Sequence, residues 1–273
     1  MHMNIEGIVI HKTPYKERDL ICNLLLRSGK TLSVYFYGGQ GGGKSQKGSI
    51  LDLGAMVTVT LAPRKKKLET EVQIAKEYNL IWASRKIRDD FQAFYLSTFY
   101  FEYLGKIAIS ENIDDVHATD HEGLFNVLSN ALFYLDGSVS KGEFNLHVQL
   151  FMFLSKLTVQ LGINPDTDSC LFCATDLEKQ NMFAFDAQNG GFICADCLSQ
   201  QGETVSENVT LQYEYQNSVL LRRTLKNALH LPFKDYALLS GMTQGLTAAE
   251  FQYINYQLGF TPDQFNTWKM INI

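Results

Sequence analysis

A chain of 273 residues, 45% hydrophobic and 19% charged, has room for two modest domains and is not the composition of a disordered protein. No apolar run is long enough to span a bilayer and the N-terminus lacks a secretory layout, so the expected setting is the reducing cytoplasm, without a membrane partner. The net charge of −5 hides an asymmetry, because residues 1–110 hold 16 Lys and Arg against 10 Asp and Glu, whereas residues 111–273 hold 8 against 19. That split describes a basic module joined to an acidic one, and it keeps nucleic acid open as a partner where the total charge argues against it.

Residues 4–80 read as about five strands, with Gly and Pro at the bends. They are IEGIVIHKTPY, DLICNLLL, TLSVYFYG, AMVTVTLAP and ETEVQIAKEYNLI. A small Greek-key barrel of the OB type over residues 1–82 is the economical solution, since closure removes exposed strand edges. Such barrels commonly bind single strands across one face. The module's cations cluster in its connections: Lys12, Lys16 and Arg18 at the first turn, Lys44 and Lys47 in a glycine loop, and the run Arg64, Lys65, Lys66, Lys67. Tyr15, Tyr35, Phe36 and Tyr37 could stack on bases. Each feature alone is better explained by a solvated turn or a barrel core, but together they favour nucleic-acid binding. Cys22, in an apolar strand, reads as a buried small hydrophobe.

Gly38 to Ser45 satisfies the phosphate-loop pattern G-x-x-x-x-G-K-S. That chemistry needs a helix opening directly after the loop. The following QKGSILDLGAMVTVTL has strand-type alternation instead, so nucleotide chemistry at Lys44 and Ser45 is not expected.

From Asp89 the period becomes helical, and residues 83–273 are expected to form a helical domain. FQAFYLSTFYFEYLGKIA carries aromatics around most of its circumference, which suits a helix buried on several sides, here expected at the domain junction. His117 and His121 lie four apart in an acidic connection and read as polar residues ahead of a helix cap near Asp120. Further helices are expected at about 121–136, 143–161, 209–229, 234–240 and 247–258.

The zinc module is expected at 165–200. Cys170 and Cys173 form one C-x2-C, Cys194 and Cys197 a second, with twenty residues between the pairs. Four thiolates at that spacing suit one structural Zn2+ in a closed tetrahedral site. Paired disulfides would need an oxidising compartment, and a redox C-x-x-C would need one motif opening a helix in a βαβ unit. MFAFD and GGFIC, joined through Asn189-Gly190-Gly191, read as a hairpin carrying the second knuckle.

The order of an OB-like barrel, an aromatic helix, a helical domain and LGINPDTDSCLFC…GGFICADC resembles the bacterial RecO family of DNA repair proteins, recombination mediators. Matching points include Glu6-Gly7-Ile8-Val9, Tyr15-x-Glu17-x-Asp19, Gly29-Lys30, Gly43-Lys44-Ser45 and Leu161-Gly162…Pro165. Two departures are Ala174, where the family usually has glycine, and the loop 38–43, nearly all glycine where relatives are usually basic. The resemblance implies binding of single- and double-stranded DNA, strand annealing, and recombinase loading onto strands coated by single-strand-binding protein. It also implies action with RecR and contact between the helical domain and the coating protein's acidic tail. Arg222 and Arg223, the adjacent basic pair of the helical domain, are the expected tail contact, with Leu220, Leu221 and Leu225 nearby. The chain is therefore expected to be an α+β, non-catalytic DNA-binding factor. The competing reading is a zinc-stabilised protein-interaction adaptor with weak or no DNA binding.

Overall fold

A computed structural model describes residues 3–40, 50–63, 72–108, 123–180, 183–201, 215–239 and 244–271. Lys44, Ser45, Lys47, Arg64, Lys65, Lys66, Lys67, His117, Asp120 and His121 lie outside the described residues.

Five strands close the N-terminal barrel in the order β1-β2-β3-β5-β4. They are β1 (Met3–Tyr15), β2 (Asp19–Leu26), β3 (Thr31–Phe36), β4 (Met56–Leu61) and β5 (Gln73–Trp82). All pairings are antiparallel except β3 with β5. That is the closed Greek-key arrangement of an OB-type fold, and its last strand ends at Trp82. Alternation in β2, β3 and β4 points one face inward: Leu20, Cys22, Leu24, Leu32, Val34, Phe36, Val57 and Val59 are all buried. Cys22 is fully buried, and burial pushes its thiol up to about 12. Beyond the glycine loop, residues 50–54 form turns and β4 begins at Met56, so the described chain after the loop runs into a strand.

The chain divides into two compact units, residues 1–144 with 267–273, and residues 145–266. This differs from the expected boundary at 82/83, because α1 (Phe91–Ile107), α2 (Gly123–Lys141) and α7 (Trp268–Ile271) belong to the barrel's unit. The main contacts of α1 are with the 3-10 turn Ile87–Asp89, β1, α2 and α7, all within that unit. Its buried side is Phe99, Tyr100, Phe101 and Tyr103, whereas Phe91 and Phe94 are exposed. Asp90 caps α1 by accepting from the Ala93 N–H at 2.9 Å. Asp136 of α2 accepts from the N–H groups of Lys86 and Ile87, tying α2 to the 3-10 turn Ile87–Asp89.

The second unit is built on α3 (Leu146–Leu161), α5 (Tyr215–His230) and α6 (Gln244–Leu258). Asn145 caps α3 at its start, and Gly162, at φ +69°, ends it in the left-handed conformation. The segment expected to be a helix at 234–240 is a 3-10 stretch, Phe233–Leu238, broken by the non-helical Asp235. Between α3 and α5 lie a three-stranded sheet of order β6-β8-β7 and the short α4 (Ala195–Gln201). Its strands are β6 (Asp166–Cys170), β7 (Phe183–Asp186) and β8 (Gly191–Cys194). Among the described residues, no helix is long and apolar enough to cross a membrane.

Candidate metal centre and nucleic-acid interface

The hairpin expected around Asn189-Gly190-Gly191 is present, with β7 and β8 antiparallel and Phe185 opposite Phe192. Asp186 sets the turn. Its carboxylate accepts from the N–H groups of Gln188 and Asn189, both at 3.0 Å, and Gly190 takes φ +75°. Cys194 ends β8 and Cys197 lies in α4, so the second knuckle is a strand-to-helix corner. The first knuckle follows β6. The Ala174 N–H closes back on the Cys170 carbonyl oxygen at 2.9 Å, with Ala174 at φ +57°. The Leu171 N–H donates to the Phe192 carbonyl oxygen at 2.9 Å, which brings the two knuckles together.

The four sulfurs converge: Sγ atoms of Cys170, Cys173, Cys194 and Cys197 all lie within 4.8 Å of one another. Cys173 Sγ is 3.6 Å from Cys194 Sγ. A tetrahedral metal with bonds of about 2.3 Å needs sulfurs about 3.8 Å apart, so the four can hold an ion with only small adjustments. All five cysteines of the chain are free thiols. Cys170 and Cys194 are almost wholly buried, whereas Cys173 is exposed. The Thr175 hydroxyl lies 3.1 Å from Cys173 Sγ and, with the Thr175 backbone, holds that thiol down to about 6. The Cys194 N–H donates to Cys170 Sγ at 3.3 Å, the kind of interaction that stabilises a thiolate.

The module is fastened to α5 and α6. Arg222 Nε donates to the Thr167 carbonyl oxygen at 2.5 Å, and its Nη2 meets Glu178 Oε1 at 3.1 Å. Lys226 Nζ reaches Asp168 at 2.8 Å and Glu178 at 2.9 Å. Phe185 packs against both Phe192 and Tyr253, at ring separations of 5.0 and 5.8 Å.

This corrects part of the expected tail contact. Arg222 is only 7% exposed and its guanidinium is occupied inside the unit, while Leu221 and Leu225 are core residues. Arg223 is exposed, with Val219 and Leu220 also at the surface of α5.

On the barrel, Lys12 is half-buried and paired with Asp52 at 2.8 Å, and Arg88 meets the same carboxylate at 3.0 Å. Lys16 and Arg18 are exposed, and neither has an ion-pair partner among the described residues. Of the four aromatics expected near them, Phe36 is core. The other three form a cluster: Tyr35 lies 5.6 Å from Tyr15 and 4.7 Å from Tyr37, both edge-on. Tyr15 is 45% and Tyr37 64% exposed, and Lys16 Nζ stands 5.5 Å from the Tyr15 ring centroid.

Residues 116–234 match the family model described as Recombination protein O C terminal. The chain is 24% identical over 203 residues to the DNA repair protein RecO of Maridesulfovibrio salexigens, covering 74% of this chain and 76% of that relative. It is 24% identical over 250 residues to the DNA repair protein RecO of Bacillus cytotoxicus, covering 86% of this chain and 92% of the relative. The resemblance to the RecO family therefore holds, at modest identity but over most of the chain.

Proposed function

We propose that this RecO-family chain is a non-catalytic DNA-binding recombination mediator of DNA repair. In this reading it binds and anneals single strands and helps a recombinase onto strands coated by single-strand-binding protein, with RecR as a partner. The observation that carries it is the coincidence, on one OB-type barrel, of exposed tyrosines with the exposed cations Lys16 and Arg18. Lys44, Lys47 and the Arg64–Lys67 run add charge to the same basic module. Phosphate binding by such cations releases counterions, so affinity should fall steeply as salt rises.

The four cysteines hold one structural Zn2+ in this reading, since sulfur donors in a closed, four-coordinate set favour that ion. Zinc would lock two knuckles that no disulfide joins, and a reducing cytoplasm would keep the thiols available. The acidic tail of the coating protein would meet the exposed Arg223 beside Val219 and Leu220.

The deciding experiment is salt-titrated binding of single-stranded DNA by the full chain. Lys16→Glu/Arg18→Glu should weaken binding to every sequence and flatten the salt slope by about 0.7 for each phosphate no longer neutralised. A chain that binds neither single- nor double-stranded DNA at low salt would instead favour the protein-interaction adaptor.

A further inference from the structure

The motif Tyr15-x-Glu17-x-Asp19 has no role in the charge-based reading of the barrel, yet Asp19 is held by hydrogen bonds to both of its carboxylate oxygens. Its carboxylate takes two bonds at once. The Tyr35 hydroxyl donates to Oδ2, and the Gly38 N–H donates to Oδ1 at 2.8 Å. Those bonds hold the Asp19 carboxyl below its ordinary range and push the Tyr35 hydroxyl up to about 12, so this is a carboxylate gripping a neutral phenol. Gln40 reinforces the junction, donating from Nε2 to the Asp19 carbonyl oxygen and from its backbone to the Arg18 carbonyl oxygen, both at 2.9 Å.

The consequence lies in what Tyr35 separates. It stands between Tyr15 and Tyr37, so fixing Tyr35 fixes the positions of two exposed rings. Burial does not account for exposed rings held in register by a carboxylate.

We propose that Asp19 is a positioning residue that presents Tyr15 and Tyr37, through Tyr35, as a stacking platform for the unpaired bases of a single strand. The proposal rests on the DNA-binding reading above and adds to it a preference that charge alone cannot give. Phosphates are available on duplex and single strand alike, whereas base faces are available only where bases are unstacked. Cations beside exposed rings complement a ligand that alternates anionic phosphates with flat apolar bases. Lys16 and Arg18 supply the cations, with Glu17 the exposed anion among them.

The test uses the full chain, a single-stranded oligonucleotide carrying 2-aminopurine, and a duplex of the same length. Tyr37 is exposed, so replacing it leaves the core intact. Tyr37→Leu should weaken single-strand binding about tenfold or more, with the salt slope and duplex affinity unchanged, and should reduce the change in 2-aminopurine fluorescence on binding. Tyr37→Phe keeps the ring and should bind like the wild type. Asp19→Asn is the sharper variant because the two explanations differ in sign. Removing an anion beside DNA strengthens binding by electrostatics alone, whereas loss of positioning weakens it. Weaker single-strand binding by Asp19→Asn supports the proposal, and unchanged or tighter binding overturns it. If Asp19→Asn does not fold, Tyr35→Phe removes the same phenol bond and should show the same selective loss. Equal losses on duplex and single strand, or wild-type behaviour of Tyr37→Leu, would also overturn it. A wild type that binds no DNA defeats the DNA reading itself, whereas DNA binding indifferent to these variants defeats only the platform.

Discussion

Arg222 Nε lies 2.5 Å from the carbonyl oxygen of Thr167, a bond from the middle of α5 into the strand that leads to the first cysteine knuckle. The same side chain reaches Glu178, so one buried guanidinium joins α5 to both sides of that knuckle. Arg222→Ala should therefore destabilise the second unit by about 2–3 kcal/mol, because it leaves a buried carbonyl and loses charge-assisted bonds. Arg223→Ala, at an exposed position, should cost less than about 0.5 kcal/mol. Urea unfolding of the two single variants separates the roles, and equal midpoints would show that Arg222 is no staple. A charge reversal of both residues at once would confuse loss of docking with loss of fold.

How much of this was legible in the sequence depends on whether a side chain's job is local. Strand alternation pointed to the barrel because it repeats at the strand's period of two, and cysteine spacing pointed to the four-cysteine cluster because each C-x2-C is a local turn. Arg222 was misread because two adjacent arginines look like one basic patch. On a helix they are about 100° apart, and Arg222 shares the buried stripe of Ser218, Leu221, Leu225 and Ala228. That spacing was available in the sequence. The strand β6 was not legible, since Asp166-Thr167-Asp168-Ser169 has no apolar alternation and becomes a strand through pairing with β8. Nor was the length of α2, which runs through Gly137 to Lys141, five residues past the expected end. The tyrosine cluster was half legible: nearness in sequence suggested it, but strand parity sends Phe36 inward and leaves Tyr35 outside.

The four-cysteine cluster carries a simple test. Cys173→Ser removes one sulfur of four and should abolish stoichiometric zinc, measured by elemental analysis of protein purified without chelators. Because binding of such an ion is coupled to folding of its module, the variant should also unfold at lower denaturant. Cys22→Ala, in the barrel core, should leave the metal content unchanged. Wild-type protein carrying no metal under reducing conditions would remove the zinc assignment.

Ala174 is one of two non-glycine residues among those described with positive φ, at +57°. A side chain there costs about 1–2 kcal/mol, part of which a glycine would return as extra freedom in the unfolded chain. Ala174→Gly should thus stabilise the folded knuckle by about 0.5–1 kcal/mol. Its bond to the Cys170 carbonyl oxygen remains available, since glycine keeps the N–H. A chelator competition should show zinc held as tightly as in the wild type or more tightly, and a lower unfolding midpoint would contradict the strain argument.

Glu250 of α6 is fully buried, and burial raises its carboxyl well above the ordinary glutamate range. Ser155 of α3 donates to Oε1 at 2.5 Å, while Oε2 has no partner among the described residues, and Tyr253 is a titratable neighbour on α6. The folded state therefore prefers the protonated acid, whereas the unfolded chain ionises near the usual value. Stability from this group is complete below about pH 4.5 and is lost as pH rises toward the raised folded value, by up to about 1.4 kcal/mol per pH unit. Glu250→Gln stays neutral and should remove that slope, so its advantage over the wild type grows from pH 5 to pH 8. Urea midpoints of both proteins across that range read the difference directly, cancelling other titrations. Parallel curves would mean that Glu250 ionises in the folded core as readily as in water, against its burial.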